Sequence, residues 1–234
     1  MKLIITGVTG MVGEGVLHEC TLREDVQEIL ILSRKPSGII DPKVKELLVK
    51  DFYNLSDMEN QLSGYDGCLF CLGTSSVGKT DEEFYKISYT LTMSLANTLA
   101  KINPNMTFCY ISGSGTDSTE KGRLAWARTK GKTENDLMKL PFKGVYNFRP
   151  SYLHPTPGMK NTLSYYKYLS WLYPVFKTIM PNSISTLSEL GQAMINACAK
   201  GYEKQILEVK DILILSKRDG IAHGLKGLDT DFNI

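Results

Sequence analysis

Three glycines near the N-terminus have the spacing of a phosphate-binding turn. Gly7, Gly10 and Gly13 follow the apolar run 2–6 and precede residues 14–23, which are compatible with a helix. The first glycine permits a tight turn, the second lets the backbone approach a pyrophosphate, and the third allows close packing of helix on strand. The first amides of the helix then face the phosphates, so the run predicts a dinucleotide site. We expect the contacts to come from Thr6, Gly7, Thr9, Gly10, Met11, Val12 and Gly13.

A basic pair occupies the position at which such a site distinguishes a phosphorylated from an unphosphorylated ribose. In dinucleotide folds an acidic side chain about 20 residues beyond the glycines binds the unphosphorylated ribose. Here the second apolar run ends in Ser33, Arg34 and Lys35, without an acid. A guanidinium binds phosphate through paired charge-assisted hydrogen bonds, so these residues favour NADP(H) over NAD(H), with NAD(H) still open. The alternative is a solvated loop before Pro36.

Asp51 and Phe52 follow the third apolar run. We interpret them as candidate contacts for an adenine, through the carboxylate and the ring respectively. An aspartate at the end of a strand is also a common turn residue, and that alternative stays open.

Apolar runs alternate with helix-compatible stretches along the chain, which is typical of an α/β fold. Short strands separated by helices pair in parallel through right-handed crossovers, with helices on both faces of the sheet. The sequence therefore predicts a doubly wound, mostly parallel sheet in a single domain, residues 1–234. The predicted strands cover residues 2–6, 28–33, 46–50, 67–72, 106–112, 144–149 and 211–216.

Two long helices are predicted between these strands. Thr80 and Glu83 form a capping-box signature, and we expect their helix to continue to about Lys101. A second helix should cover residues 119–139. The glycine-rich, polar stretch from Lys217 onward is interpreted as a loosely held tail.

Composition narrows the classes of function. With 234 residues, 42% hydrophobic and 22% charged, the chain resembles one large globular domain. A formal net charge of +2 does not indicate nucleic acid as a partner, so a small-molecule ligand is expected. No apolar run suits a secretory signal or the roughly 20 residues that span a bilayer. Five cysteines at irregular spacing favour a reduced, cytoplasmic location.

Cys68 and Cys71 have the spacing of a redox or zinc half-site inside an apolar run. Residues three apart on a strand point to opposite faces, so the two sulfurs would not converge on one ion. We therefore expect two small core residues and no metal site.

Four groups of residues together carry a family resemblance. They are Thr6–Gly13, Ser33–Lys35, Cys71–Thr74 and Phe148–Pro150. They resemble the extended and atypical short-chain dehydrogenases/reductases, most closely the NAD-dependent epimerase/dehydratase group and the Tat-interacting tumour-suppressor reductase-like protein. The resemblance is clearest over residues 1–155. It implies a Rossmann fold, a nicotinamide dinucleotide, and a small C-terminal substrate lobe to which about residues 151–205 contribute. It also implies cofactor contacts from Cys71, Leu72, Gly73, Thr74, Lys130, Arg149 and Pro150.

Active members of this family use a serine and a Tyr-x-x-x-Lys motif on the helix after the fifth strand. Tyrosine and lysine four residues apart share one helix face, and the ammonium lowers the pKa of the phenol. This chain has Trp126 and Lys130 in those places. An indole N–H only donates a hydrogen bond, so the usual proton relay is missing, whereas Lys130 can still bind the nicotinamide ribose. An ordinary exposed helix lysine is the alternative.

Ser112 and Ser114 both stand where the family's serine polarises the substrate oxygen. The sequence leaves the choice between them open, because the neighbouring glycines also suit a plain loop. Replacement acids are Tyr89 and Tyr152, although most tyrosines only pack and make one hydrogen bond. The literal Tyr-x-x-x-Lys at residues 173–177 contains a proline and is interpreted as coincidence.

Aromatic side chains interleaved with lysines crowd residues 163–177. Three interpretations stay open: a helix that packs its aromatic face on the domain, a pocket for an apolar substrate, or a surface that contacts a membrane or a partner. The sequence does not indicate an oligomeric state.

Two functions follow from these residues. The first is an NADP-dependent oxidoreductase or epimerase-like enzyme, with hydride moving between the nicotinamide and a carbonyl or alcohol near Ser112 or Ser114. The alternative is a catalytically impaired NADP(H)-binding module with a regulatory or redox-sensing role. Trp126 is the residue that separates these two functions.

Overall fold

A seven-stranded parallel sheet forms the centre of the protein. The computed structural model describes residues 1–162 and 183–217. The strands of this part are β1 (Lys2–Thr6), β2 (Glu28–Ser33), β3 (Val44–Leu48), β4 (Gly67–Phe70), β5 (Thr107–Ile111), β6 (Gly144–Arg149), β7 (Tyr152–His154), β8 (Ile184–Thr186) and β9 (Ile206–Glu208). Seven of them pair in parallel in the order β3-β2-β1-β4-β5-β6-β9. The predicted doubly wound sheet is confirmed, and its order reverses between β1 and β4.

Helices cover both faces of this sheet. The α-helices of the described part are α1 (Met11–Leu22), α2 (Glu59–Leu62), α3 (Asp81–Tyr85), α4 (Leu91–Ile102), α5 (Ala125–Leu137), α6 (Leu187–Lys200) and α7 (Val209–Ser216). One core cluster joins α1 and α6 to the sheet and includes Ile5 and Leu190. The other joins α4 and α5 to the opposite face and includes Phe108 and Leu137. Residues 29–32 of β2 are all buried, as a strand covered on both faces requires.

Six of the seven predicted strands lie within two residues of their predicted bounds. The seventh, at residues 211–216, is wrong because this segment lies in α7, directly after the short strand β9. The Asp211 carboxylate accepts a hydrogen bond from the Glu208 N–H at 3.3 Å, which starts the helix. Ile212 and Leu215 are buried three residues apart, a helical spacing that a short apolar run disguises as a strand.

The helix predicted from Thr80 begins there. Thr80 Oγ1 accepts from the Glu83 N–H at 3.2 Å, and Glu83 Oε2 accepts from the Thr80 N–H at 2.9 Å, so the capping box is confirmed. The helix is not uniform, because a π-helical turn over Lys86–Thr90 separates α3 from α4. Such turns often occur at functional sites.

The helix predicted at residues 119–139 is shorter, since α5 begins only at Ala125. Asp117 causes the difference. Its carboxylate accepts hydrogen bonds from the Thr119 N–H at 3.0 Å and the Gly122 N–H at 2.6 Å, which hold the preceding residues in turns.

The strands β7 and β8 form a separate parallel pair. The loop after β7 lies against α1, because the Glu14 carboxylate accepts from the Lys160 and Asn161 N–H groups, both at 2.8 Å. The aromatic segment 163–177 lies outside the described residues, as does the predicted tail beyond Lys217. No helix of the described residues has the length and apolar character needed to cross a bilayer.

The opposite orientation predicted for two cysteines is confirmed. Cys68 belongs to the core cluster on the α4 and α5 face, whereas Cys71 packs against the cluster on the α1 and α6 face. Their sulfurs are therefore separated by the sheet.

Candidate functional site

A cavity of about 930 Å³ lies at the carboxyl ends of β1, β2 and β4. The order of the sheet reverses between β1 and β4, and ligands of doubly wound sheets bind in the crevice at this point. The topology of the sheet, and not one loop alone, therefore positions the cavity.

The three glycines of the first turn have different structural roles. Gly7 has φ +72°, and a Cβ there would lie 2.6 Å from the Cys71 carbonyl. A Cβ on Gly13 would lie 2.1 Å from the Gly7 carbonyl oxygen. The fold itself therefore excludes a side chain at both positions. Gly10 lines the cavity, and a Cβ there would meet only the Gly7 oxygen, at an ordinary 3.5 Å.

The helix α1 begins at this turn without a side-chain cap. Gly10 is its N-cap residue, and no side chain accepts from the amides of the first turn. The Thr6 hydroxyl oxygen accepts a hydrogen bond from the Leu72 N–H at 3.1 Å, which ties the turn to the end of β4. Free amides and the positive end of the helix dipole therefore stand beside the cavity, an arrangement that attracts anions.

Three cationic side chains, Arg34, Lys35 and Lys50, line the cavity after β2 and β3. All three are exposed, and none forms an ion pair or a side-chain hydrogen bond with a described residue. The carboxylate beside them, Asp51, accepts a hydrogen bond from the Tyr53 N–H at 2.8 Å. This is the turn role that the sequence left open for Asp51.

The loop that carries Arg34 is held by Glu46. One oxygen of this carboxylate lies 3.0 Å from the Ser33 hydroxyl and accepts from the Ser37 N–H at 2.9 Å. Glu46 therefore shapes the loop through neutral donors. The Arg34 guanidinium stays available to an anion in the cavity.

Most of the predicted cofactor residues line this cavity. They are Gly7, Thr9, Gly10, Ser33, Arg34, Lys35, Asp51, Phe52, Cys71, Leu72, Gly73 and Thr74. Other predicted residues are not part of its lining, namely Thr6, Met11, Val12, Gly13, Lys130, Arg149 and Pro150. Seven further lining residues were not predicted, namely Val8, Leu32, Pro36, Lys50, Tyr53, Ile87 and Leu91. The four-residue spacing of Ile87 and Leu91 on one predicted helix was a usable signal, because such residues share a face.

Ser112 is turned into the protein. Its hydroxyl lies 2.5 Å from Glu134 Oε1 and 3.1 Å from the Phe148 carbonyl oxygen, and the residue is 8% exposed. A carboxylate and a carbonyl only accept, so the single hydroxyl proton of Ser112 is donated within the protein. Ser112 therefore has no proton to donate to a substrate carbonyl.

A buried ion pair holds this serine in place. Glu134 is fully buried, and Arg149 donates to its two carboxylate oxygens from Nε at 3.0 Å and from Nη2 at 2.5 Å. This hydrogen bonding raises the pKa of Arg149. The guanidinium predicted to contact the cofactor is thus bound by Glu134. Glu134 was not predicted, although it stands four residues from Lys130 on one helix face.

Ser114 and Trp126 lie in the loop and helix next to Ser112. Ser114 is exposed, its N–H donates to the Pro150 carbonyl at 2.9 Å, and its hydroxyl has no hydrogen-bond partner among the described residues. Trp126 is half-buried, and its Cη2 atom would lie 3.4 Å from a Cβ on Gly115. Of the two predicted serines, Ser114 is the one with a free donor.

Lys130 is half-buried, unlike the exposed helix lysine of the alternative interpretation. Its Nζ donates to the Ile111 carbonyl at 3.1 Å and lies 5.4 Å from the centre of the Tyr110 ring. Burial lowers the pKa of Lys130 to about 8, against the opposing effect of the Glu134 charge. An amine with this pKa can hold or release a proton near neutral pH.

Neither candidate replacement tyrosine shares the helix face of Trp126 and Lys130. The Tyr89 hydroxyl donates to Asp136 Oδ2 at 2.8 Å, on another face of α5. Tyr152 packs against the core cluster of α1 and α6, across the sheet from α5. The Tyr-x-x-x-Lys at residues 173–177 lies outside the described residues.

No protein-family model matches the chain. Its curated relatives include two proteins named Protein FMP52, mitochondrial. The one from Candida albicans is 26% identical over 234 residues, which cover 95% of this chain and 97% of the relative. The one from Meyerozyma guilliermondii is 27% identical over 157 residues, which cover 65% of each protein, slightly less than two thirds.

Solved structures place the architecture more firmly. Glucuronic acid dehydrogenase from Chromohalobacter salexigens has a TM-score of 0.64 at 13% identity, covering 88% of this chain and 75% of that one. UDP-N-acetylglucosamine 4-epimerase from Bacillus cereus has a TM-score of 0.63 at 17% identity, covering 92% and 83%. The Bordetella bronchiseptica enzyme WbmF, solved with NAD+, has a TM-score of 0.60 at 12% identity, covering 91% and 76%. The chain has the fold of these enzymes.

These likenesses show the Rossmann-type fold that the resemblance implied. They do not support the narrower likeness to the Tat-interacting reductase-like protein. The predicted cytoplasmic location is wrong, because the relatives are named mitochondrial. Unpaired cysteines indicate a reducing environment, which does not by itself identify the compartment.

Proposed function

We propose that this chain binds NADP(H) in the 930 Å³ cavity, as a protein of the short-chain dehydrogenase/reductase type. The observation that carries the proposal is Gly10. The protein leaves room for a Cβ at Gly10, in contrast to Gly7 and Gly13. A pyrophosphate lying on the turn would fill that room and accept hydrogen bonds from the uncapped amides of α1.

The free cations support the phosphorylated form of the cofactor. Arg34, Lys35 and Lys50 line the cavity without ion pairs to described residues, and unpaired charge of one sign attracts an anion. A 2′-phosphate on the adenosine ribose would receive the Arg34 guanidinium at the end of β2. The NAD+ bound to WbmF belongs to that enzyme, and Arg34 is the residue that we expect to make this chain different.

The other predicted residues are assigned in order along the bound dinucleotide, from the adenine to the nicotinamide. Asp51 and Phe52 would contact the adenine, and Cys71–Thr74 would line the path of the dinucleotide at the end of β4. Lys130 does not line the cavity, and its proposed contact with the nicotinamide ribose rests on the resemblance alone. The bound cofactor supplies hydride chemistry.

Binding without turnover is the function that this geometry favours. Ser112 donates its proton to acceptors inside the protein, and Trp126 cannot titrate near neutral pH. We therefore propose a regulatory or redox-sensing module that binds and responds to NADP(H), its principal small-molecule partner.

The second candidate is an NADP-dependent oxidoreductase or epimerase-like enzyme, favoured by the lowered pKa of Lys130, about 8. Lys130 would give a proton to the oxygen of a small, apolar carbonyl substrate, while the free Ser114 hydroxyl donates a hydrogen bond to it.

The Gly10→Ala variant tests the binding proposal. It should fold like the wild type, because its Cβ meets no atom closer than 3.5 Å, and bind NADPH at least about tenfold more weakly, ~1.4 kcal/mol. Fluorescence titration of NADPH measures the affinity, and thermal unfolding checks the fold. Unchanged affinity in Gly10→Ala, or no binding by the wild type, would refute the proposal.

Turnover decides between the two candidates. The module predicts no oxidation of NADPH with a broad panel of aldehydes and ketones. If oxidation occurs, Lys130→Met should abolish it, and Lys130→Arg separates the roles of the lysine. An arginine still carries a charge for the ribose but cannot release a proton, so rescue by arginine would exclude Lys130 as the proton donor.

A further inference from the structure

Outside the nucleotide cavity, two buried cysteines meet between the sheet and α6. Cys109 lies in β5 and Cys198 in the last turn of α6, with their Sγ atoms 3.8 Å apart. Cys109 is fully buried, and its thiol also faces the Met194 carbonyl oxygen at 3.7 Å. A thiol on a central strand and a thiol at a helix end are therefore already in van der Waals contact.

A small cavity is lined by one of these two cysteines. Cys198 is 8% exposed and borders a space of about 120 Å³, lined also by Thr107, Lys143 and Tyr146, whereas Cys109 is not part of its lining. A water molecule occupies roughly 30 Å³ of the liquid, so the space admits a molecule the size of hydrogen peroxide but not a tripeptide disulfide. A small oxidant that enters this space would therefore meet Cys198 before Cys109.

We propose that Cys198 is a site of oxidation by small hydroperoxides and that Cys109 is the thiol that converts the product into a disulfide. The Cys198 sulfur attacks one peroxide oxygen, the O–O bond breaks, and the thiol proton leaves with the departing hydroxide as water. The Cys109 sulfur then attacks the sulfenic sulfur of Cys198. The S–S bond forms as the S–O bond breaks, and the Cys109 proton leaves with the hydroxide as a second water. Two thiols lose two electrons, and the peroxide gains them.

The surroundings of the pair suit this step. The Cys198 sulfur sits in a notch above β4, because a Cβ on Gly67 would lie 2.6 Å from it. An S–S bond needs about 2.05 Å, so the sulfurs must approach from 3.8 Å. We assign this movement to the end of α6, whose last residue, Lys200, lies two positions after Cys198 and precedes the Gly201 cap with φ +71°. Burial raises the pKa of Cys109 and so disfavours its reactive thiolate; contact with the Cys198 sulfur, and not acidity, is therefore what makes Cys109 the resolving thiol.

The peptide map of the full-length protein tests the proposal. The reduced protein is treated with hydrogen peroxide and digested without reductant. We expect one linked pair, Cys109 to Cys198, and an intact mass lower by two hydrogens. Cys109→Ser should stop at a sulfenic acid on Cys198 that dimedone captures when the oxidised variant is unfolded in its presence, whereas Cys198→Ser should give neither product. Cys20→Ser is the matched control, since Cys20 is equally buried and should leave the linkage unchanged.

The size of the oxidant gives an independent readout. Oxidised glutathione should modify Cys198 far more slowly than peroxide does, because the cavity excludes it. Linkage of any other pair, a dimedone adduct confined to Cys71 at the nucleotide cavity, or intact thiols in the folded protein would overturn the proposal. The wild-type map decides even where a serine variant does not fold.

Discussion

The 930 Å³ cavity and the corner formed by Ser112, Glu134 and Arg149 both lie at the carboxyl ends of parallel strands. Polar groups are unpaired within the protein at the cavity and paired with one another at the corner. At the cavity, Arg34 and Lys50 have no ion pair among the described residues, and α1 begins uncapped. At the corner, Ser112, Glu134 and Arg149 satisfy one another. Exposed cations and uncapped helix amides are hydrated in the free protein and remain available to an anion, whereas polar groups that are paired internally stabilise the fold. The difference supports the ligand binding that we propose for the first region and a structural role for the second.

The largest effect is expected from Gly13→Ala, which tests whether the fold itself requires this glycine. Its Cβ would lie 2.1 Å from the Gly7 oxygen and 2.8 Å from the Val8 nitrogen, and backbone atoms cannot move aside locally. We expect a loss of about 3 kcal/mol or more, and a fall in Tm of roughly 10 °C, in thermal unfolding. A Gly13→Ala variant as stable as Gly10→Ala would show that the two glycines do not differ as described.

Glu134→Gln should have the next largest effect, because it removes the carboxylate that pairs with Ser112 and Arg149 at the corner. The amide keeps the shape of the side chain but leaves the Arg149 guanidinium, 11% exposed, without its buried carboxylate. The expected loss is about 3 kcal/mol by urea unfolding, at the low end for a broken buried ion pair, because the amide oxygen can still accept from Arg149. Glu208→Gln is the matched control. This partner of the same arginine is 53% exposed, so its loss should cost under ~1 kcal/mol. Equal effects of the two variants would contradict a structural role for the corner.

Trp126→Tyr tests whether Trp126 lies outside the nucleotide site. Trp126 packs beside Gly115 and does not line the nucleotide cavity, so the NADPH affinity should stay within about twofold, ~0.4 kcal/mol. The new phenol stands four residues before Lys130, and we expect it to create NADPH-dependent reduction of ketones that the wild type lacks. A tenfold loss of affinity in the titration would instead place Trp126 in the nucleotide site.

Lys130 should give the stability of the protein a slope with pH. The pKa of Lys130 is about 8 in the folded protein against 10.5 for an ordinary lysine, so between these values the unfolded chain holds a proton that the folded protein has released. The free energy of unfolding therefore gains an increment from Lys130 as the pH rises from 8 to 10.5. Urea unfolding of Lys130→Met across this range should lack that increment. Identical slopes in both proteins would mean that the lysine keeps an ordinary pKa.

The sequence predicts the cavity better than the corner, for physical reasons. The turn at Gly7, Gly10 and Gly13 is local, so its spacing alone indicates the backbone geometry. The Glu134 to Arg149 pair joins a helix to a strand, and no local pattern shows that a helical glutamate will be buried. The same limit explains the wrong strand prediction at residues 211–216. The capping box of Glu208 and Asp211 starts the helix α7 there, although the apolar run is also compatible with a strand.

Titration of NADPH and NADH against the wild type and Arg34→Ala tests the central claim most directly. Arg123→Ala is the control, since Arg123 is equally exposed and does not line the cavity. We predict that the wild type and Arg123→Ala bind NADPH at least about tenfold more tightly than NADH, ~1.4 kcal/mol, and that Arg34→Ala loses this preference. Equal affinity of the wild type for both nucleotides would contradict the role of Arg34, and binding of neither would contradict the nucleotide site itself.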